Sequence, residues 1–212
     1  MVSEMSQSFP PVTSHEREVE ALLNILGSVI IEHSGVYVSV PITSGKRYAK
    51  WLNLRNIEPD LTHPDTYQEF QREVLKPNFD HAQSIIRKLR KLFPKALIDP
   101  TALRDIDGWT QDDYRYLWGK VIEQYAGTVV VIDGWQYSNG CSYEILVSYQ
   151  SATYHCPLVL NENLQPLTLE QGLTLVKASI HELKEAELPT EFLEHIAEQL
   201  ASIALEEICA KP

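Results

Sequence analysis

The stretch from Thr128 to Glu144 constrains the fold more than any other part of this 212-residue chain. It opens on Thr-Val-Val-Val-Ile, a β-branched run with no charge before Asp133. Such a run suits a strand buried on both faces, the situation of a parallel sheet. Gly134, Asn139 and Gly140 then supply turn residues. From Cys141 onward, Tyr143, Ile145, Leu146 and Tyr149 follow helical spacing. A strand, a polar turn and a helix in that order outline a ligand site. In open α/β sheets ligands sit beyond the carboxyl ends of the strands, where helix N-termini present free N–H groups. On this reading Asp133 ends the strand, Ser138 lies beside the helix start and Glu144 projects from the first helical turn. Close to that N-terminus Glu144 is expected to stay ionised, because the helix dipole favours an anion.

The flanking segments extend the pattern. A helix is predicted over Glu16–His33, a strand over Val36–Ile42 and a donor-rich turn over Thr43–Arg47. Tyr48–Asp65, with Pro59 and Pro64, reads as a long irregular connection. Tyr67–Phe93 is mainly helical, with Pro77 marking a kink or break. A short strand at Ala96–Ile98, a loop at Thr101–Thr110 and a helix at Gln111–Tyr125 lead to the central strand, Ala126–Asp133. A fourth strand is predicted at Tyr154–Leu160, then amphipathic helices at Thr168–Glu185 and Thr190–Ile208. Helices alternating with short apolar strands indicate an α/β fold with a parallel sheet covered on both faces. The chain divides into a tail (1–15), a domain (16–167, with a long insertion at about 46–69) and a helical extension (168–212). That extension packs either on the domain or on a neighbouring subunit.

Charge and composition exclude several classes. A net charge of −11 argues against a nucleic-acid partner, which requires clustered Lys and Arg. Three widely spaced cysteines without a Cys-x-x-Cys pair, and seven scattered histidines, provide no metal site. No apolar run approaches the ~18–20 residues of a membrane span, and Met1–Ser14 carries no cationic apolar leader. The expectation is a cytoplasmic protein without a membrane partner.

The turn Thr43-Ser44-Gly45-Lys46-Arg47 is not a Walker A loop, since Val40 stands at the leading glycine and Arg47 where Ser or Thr should follow Lys46. It either faces a ligand or caps the next element with its hydroxyls. Tyr37 and Ser39 alternate along the first strand and share one face.

Within Asp133–Glu144, the spacing Gly-Trp-x-x-Ser-x-Gly-x-x-x-Glu is carried by Gly134, Trp135, Ser138, Gly140 and Glu144. It resembles the nucleoside 2-deoxyribosyltransferase superfamily, in particular a branch with this Gly-Trp element. The shorter Ser-x-Gly-x-x-Tyr-Glu (Ser138, Gly140, Tyr143, Glu144) is similar to the related 2′-deoxynucleoside 5′-phosphate N-hydrolases. Tyr37 and Pro41 match that superfamily's Tyr-x-x-x-Pro first strand, and the resemblance covers about Val36–Val159. It implies a flavodoxin-like three-layer sandwich acting on N-glycosidic bonds of deoxynucleosides or deoxynucleotides. It also implies an oligomer, because members complete the pocket from a neighbouring subunit. Glu144 would then be the nucleophile at the anomeric carbon, with Ser138 near the sugar or a 5′-phosphate and Tyr37, Ser39, Pro41, Thr43, Ser44 and Gly45 around the ligand.

Glycosyl transfer suits that glutamate, since a carboxylate can stabilise or trap an oxocarbenium-like state. Departure of the base calls for a second acid. The superfamily carries an aspartate two turns before the central strand, and counting back from Ala126 reaches Trp118 or Gly119 instead. Asp133 is therefore the first candidate acid and Asp113 the second; Trp135 is either a pocket wall or a cover over the core. The chemistry needs no metal or organic cofactor. The sequence thus supports a nucleoside- or nucleotide-binding domain with possible glycosidase or transferase activity, against a sensor that binds without turnover or a protein that binds a partner through its terminal helices.

Overall fold

A computed structural model of the chain describes residues 15–55, 59–103, 106–150 and 157–209. Its frame is a sheet of four parallel strands: β1 (Gly35–Ser39), β2 (Leu97–Ile98), β3 (Ala126–Val131) and β4 (Leu158–Asn161), in the order β2-β1-β3-β4. Val36 pairs with Leu97 and Thr128, and Thr128 in turn with Leu158. The predicted α/β class with a parallel sheet is therefore observed, in an arrangement consistent with a flavodoxin-like layout. The predicted residues 154–156 of the fourth strand lie outside the described residues.

Because side chains alternate along a strand, each face of the sheet builds its own core. Val36, Val38, Val130 and Ile132 pack against Ala82, Ile85, Ile86 and Leu89 of α4 (Lys76–Leu92). On the other face Tyr37, Val129 and Val131 meet α1 (Glu16–Gly27), α5 (Gln111–Tyr125) and α6 (Asn139–Gln150). That second core continues outward into α7 (Leu169–Glu185) and α8 (Glu191–Cys209), whose Leu193, Ile196 and Leu200 are fully buried with Leu117 and Ile145. The C-terminal helices thus pack on α6 as a further layer of the same domain.

Several boundaries differ from the sequence reading for local reasons. The first helix stops at Gly27 rather than His33, where the Tyr125 side chain crosses it; a Cβ at Gly27 would lie 2.7 Å from the Tyr125 hydroxyl. The first strand ends at Ser39, just short of Pro41, which has no N–H for a ladder. Residues 48–65 are not a loop throughout: α2 (Lys46–Asn53) and α3 (Pro64–Phe70) occupy much of them. Trp51 of α2 is buried with Phe70 and Val74, forming a small aromatic core separate from the sheet. Pro77 does not break its helix. A π-turn at Gln71–Leu75 precedes it and absorbs the mismatch that a proline imposes on the preceding turn.

Candidate functional site

The site starts from two consequences of strand alternation. Tyr37 and Ser39 project from the same face of β1, towards α6. The chain leaves β3 through Gly134, whose φ of 85° is the left-handed conformation suited to glycine, and through a single 3-10 turn, Trp135–Tyr137. This brings α6 back across the end of β1. Ser138 stands at its start, accepting from the Cys141 N–H through Oγ at 3.3 Å.

Glu144, the sixth residue of α6, then lies over the end of β1. Its Oε1 accepts from the Tyr37 hydroxyl at 2.8 Å and its Oε2 from the Ser39 hydroxyl at 2.6 Å. Each carboxylate oxygen therefore has one fixed donor and a remaining lone pair. Glu144 as a residue is 8% exposed, and burial raises its pKa from 4.5 to about 7, against the opposing hydrogen bonds from Ser39 and Tyr37. The expectation of an ordinary ionised glutamate is corrected here. Glu144 sits in the second helical turn, one turn too far from the N-terminus for the free N–H groups, and desolvation dominates. Burial, with the charge of Glu144, pushes the Tyr37 phenol well above its usual range, so this group stays a donor. The Cys141 thiol is pushed up to about 12 by burial and remains protonated.

Glu144 opens onto a cavity of about 260 Å³. One wall is the loop after β1, with Val40, Ile42, Thr43 and Ser44. Asn78 of α4 fixes that loop by donating to the carbonyls of Ile42 (2.9 Å) and Ser44 (3.2 Å), and the Ser44 hydroxyl donates to Ser138 Oγ at 2.8 Å. A second wall is α5, through Gln111, Tyr114, Arg115 and Trp118. Phe79 and the segment around Thr101 complete the rim, while Ser138, Gly140 and Cys141 join Glu144.

The predicted site residues separate into three groups. Thr43, Ser44, Ser138, Gly140 and Glu144 line the cavity, and Tyr37 and Ser39 hold Glu144 from behind. Pro41, Gly45 and Gly134 shape the loops without lining the cavity. Gly45 has a φ of 84°, and a Cβ there would lie 2.7 Å from Pro41 Cβ, so this turn requires glycine. The third group is displaced. Trp135 is 3% exposed, belongs to the core beneath α7 and does not line the cavity, so of its two readings it is the cover over the core and not the pocket wall. Asp133 is exposed and off the cavity, because the chain turns at Ile132–Trp135 and carries it to the outside; its N–H donates to Glu162 at 3.1 Å. Asp113 is buried as the N3 member of a capping box with Thr110 and faces His15 at 3.2 Å. Neither candidate acid reaches Glu144.

Sequence reasoning had reached Trp118 only as a missing acid. In the fold its indole lines the cavity and lies tilted against the Tyr37 ring, with centroids 6.1 Å apart. Gly119 is occupied differently: a Cβ there would meet the Tyr143 hydroxyl at 3.1 Å. Arg115, Asn78 and Phe79 were missed altogether. Their signal was a polar or aromatic residue at helical spacing among core positions, which many solvated faces share. Among the described residues, Glu144 is the one carboxylate and Arg115 the one cation lining the cavity. No group of three or more His, Cys, Asp or Glu among these residues is arranged to hold a metal ion, and no helix among them is long and apolar enough to cross a membrane.

In comparisons with known proteins, the chain matches no family model, no curated protein and no solved structure.

Proposed function

We propose that the cavity binds a nucleoside or nucleotide and that Glu144 attacks its anomeric carbon, giving N-glycosidase or deoxyribosyl-transfer activity. The observation that carries this reading is the environment of Glu144: a carboxylate at a cavity wall, gripped through both oxygens by Tyr37 and Ser39. Such a grip limits the rotation of the carboxylate and leaves a lone pair for the substrate. A pKa of about 7 keeps a substantial fraction ionised at neutral pH, and the desolvated anion is a better nucleophile than a hydrated one. The resemblance of Gly134–Glu144 to the nucleoside 2-deoxyribosyltransferases agrees with the same assignment. A neighbouring copy completing the site belongs to this proposal.

Incubation with deoxynucleosides and their 5′-phosphates, followed by chromatography for free base, tests it. Base release that disappears in Glu144→Gln supports the reading; binding without release supports the second one. That second reading is a non-catalytic nucleotide-derivative sensor. It is favoured by one observation, that no other carboxylate among the described residues lines the cavity to protonate a departing base.

A further inference from the structure

Arg115 is the feature of the cavity that the proposed chemistry leaves unused. Its Nη2 pairs with Asp112 one turn earlier, and its guanidinium lies 4.9 Å from the centre of the Phe192 ring on α8. These contacts hold the group against the α5 wall. Its Nε is nevertheless buried with no acceptor among the described residues. An atom so enclosed is not on the cavity surface, so Arg115 meets the cavity through its other atoms. Trp118, at i+3 on the same helix, lines the same cavity. The α5 wall therefore offers an aromatic surface with a fixed positive charge one turn away. The Glu144 side offers the only carboxylate among the described residues lining the cavity.

Resting on the glycosidic reading above, we propose that Arg115 takes the place of the general acid by accepting the charge of the departing base, so that the substrate is an oxopyrimidine deoxynucleoside or deoxynucleotide. The chemistry divides the bases. A purine leaves readily only once its imidazole nitrogen is protonated, which requires an acid at the α5 wall. An oxopyrimidine leaves as an anion whose charge is shared between the ring nitrogen and the carbonyl oxygens. A guanidinium stabilises that anion by hydrogen bonding, without transferring a proton. In the first step a Glu144 oxygen bonds to the anomeric carbon while the C–N bond breaks. The bonding pair moves onto the base and is drawn towards Arg115. In the second step water attacks the same carbon, the Glu144 carboxylate is restored, and the proton that water releases neutralises the base anion. The net change is addition of water across the C–N bond.

The test compares base release from 2′-deoxyuridine, its 5-fluoro and 5-bromo derivatives, 2′-deoxyadenosine and 2′-deoxyguanosine, each with and without a 5′-phosphate. The intact protein is expected to release oxopyrimidines in preference to purines. Arg115→Met should slow 2′-deoxyuridine about a hundredfold or more, the scale of losing one donor to developing negative charge. It should also make the rate depend far more steeply on the acidity of the leaving base, a slope that a merely structural change would not alter, and Arg115→Lys should recover part of the loss. The comparison of leaving groups on the unaltered protein stands even if the methionine variant fails to fold. Purine release as fast as uracil release, or equal slowing of every base by Arg115→Met, overturns this inference and leaves the glycosidic reading intact. An Arg115 dependence confined to 5′-phosphorylated substrates assigns the guanidinium to the phosphate and also overturns it. No release and no binding with any compound removes both readings together.

Discussion

Replacing Glu144 by Gln is expected to stabilise the fold in a way that depends on pH. The glutamate pKa rises from 4.5 to about 7 on burial, so the fold disfavours the carboxylate. Below pH 4.5 the group is protonated in both the folded and the unfolded chain, and there is no penalty. Between 4.5 and about 7 the unfolded chain ionises while the folded chain does not, so stability falls as pH rises; above 7 the penalty is constant. Linkage over that interval amounts to about 3 kcal/mol at pH 8 but only about 1 kcal/mol at pH 5. Glutamine has the same shape and no charge. It presents one oxygen and one amide nitrogen to Tyr37 and Ser39, so one hydroxyl must turn from donor to acceptor, at a cost of about 1 kcal/mol. The net expectation is a variant about 2 kcal/mol more stable than the parent at pH 8 and nearly equal to it at pH 5. For a chain of this length that is about 4–8 °C in melting temperature at the higher pH. Thermal melts or urea titrations of both proteins at pH 5 and pH 8 measure it. A variant that is equally or less stable at both values refutes the reasoning, because the carboxylate would then not be paying a desolvation penalty in the fold.

Other substitutions examine neighbouring parts of the site. If Glu144 is the nucleophile, kcat/KM should rise with pH through about 7 as the carboxyl ionises. Tyr37→Phe removes the 2.8 Å donor to Oε1, which should move that rise to higher pH by up to about one unit and lower the plateau. Gly45→Ala forces a side chain into positive φ and onto Pro41, and denaturant titration should show a loss of more than about 1 kcal/mol. Asp133→Asn should leave base release unchanged in the chromatographic assay, since that carboxylate lies outside the cavity.

The geometry also connects the two readings of function. Among the described residues the cavity is lined by one carboxylate and one cation, which differs from the paired-carboxylate arrangement of ordinary glycoside hydrolysis. On the proposed reading it supplies a held nucleophile, Glu144, and a positive charge, Arg115, on the same cavity. Turnover then depends on the leaving group rather than on a proton donor, and a poor leaving group would make the same pocket a binding site.

Much of the architecture was legible from local pattern. The apolar run before Asp133 marked a buried parallel strand, the helical spacing of Gln111–Tyr125 matched α5 residue for residue, and alternation put Tyr37 and Ser39 on one face. Those are short-range properties: strand period, helix period and turn chemistry are set by neighbouring residues, so the sequence determines them by itself. The position of Glu144 on the helix after β3 was legible for the same reason, through the turn that precedes it. Only the tertiary structure decided its partners and its charge. Tyr37 and Ser39 are more than a hundred residues away in the chain, and the burial that raises its pKa comes from elements distant in sequence. The same holds for Arg115 and Trp118, which look like ordinary residues of an amphipathic helix until α5 is laid beside α6. Asp133 shows the converse: nearness in sequence to Glu144 did not bring it into the cavity, because a tight turn pointed it outward. Contacts between distant segments depend on how the layers stack, and stacking is a property of the whole chain.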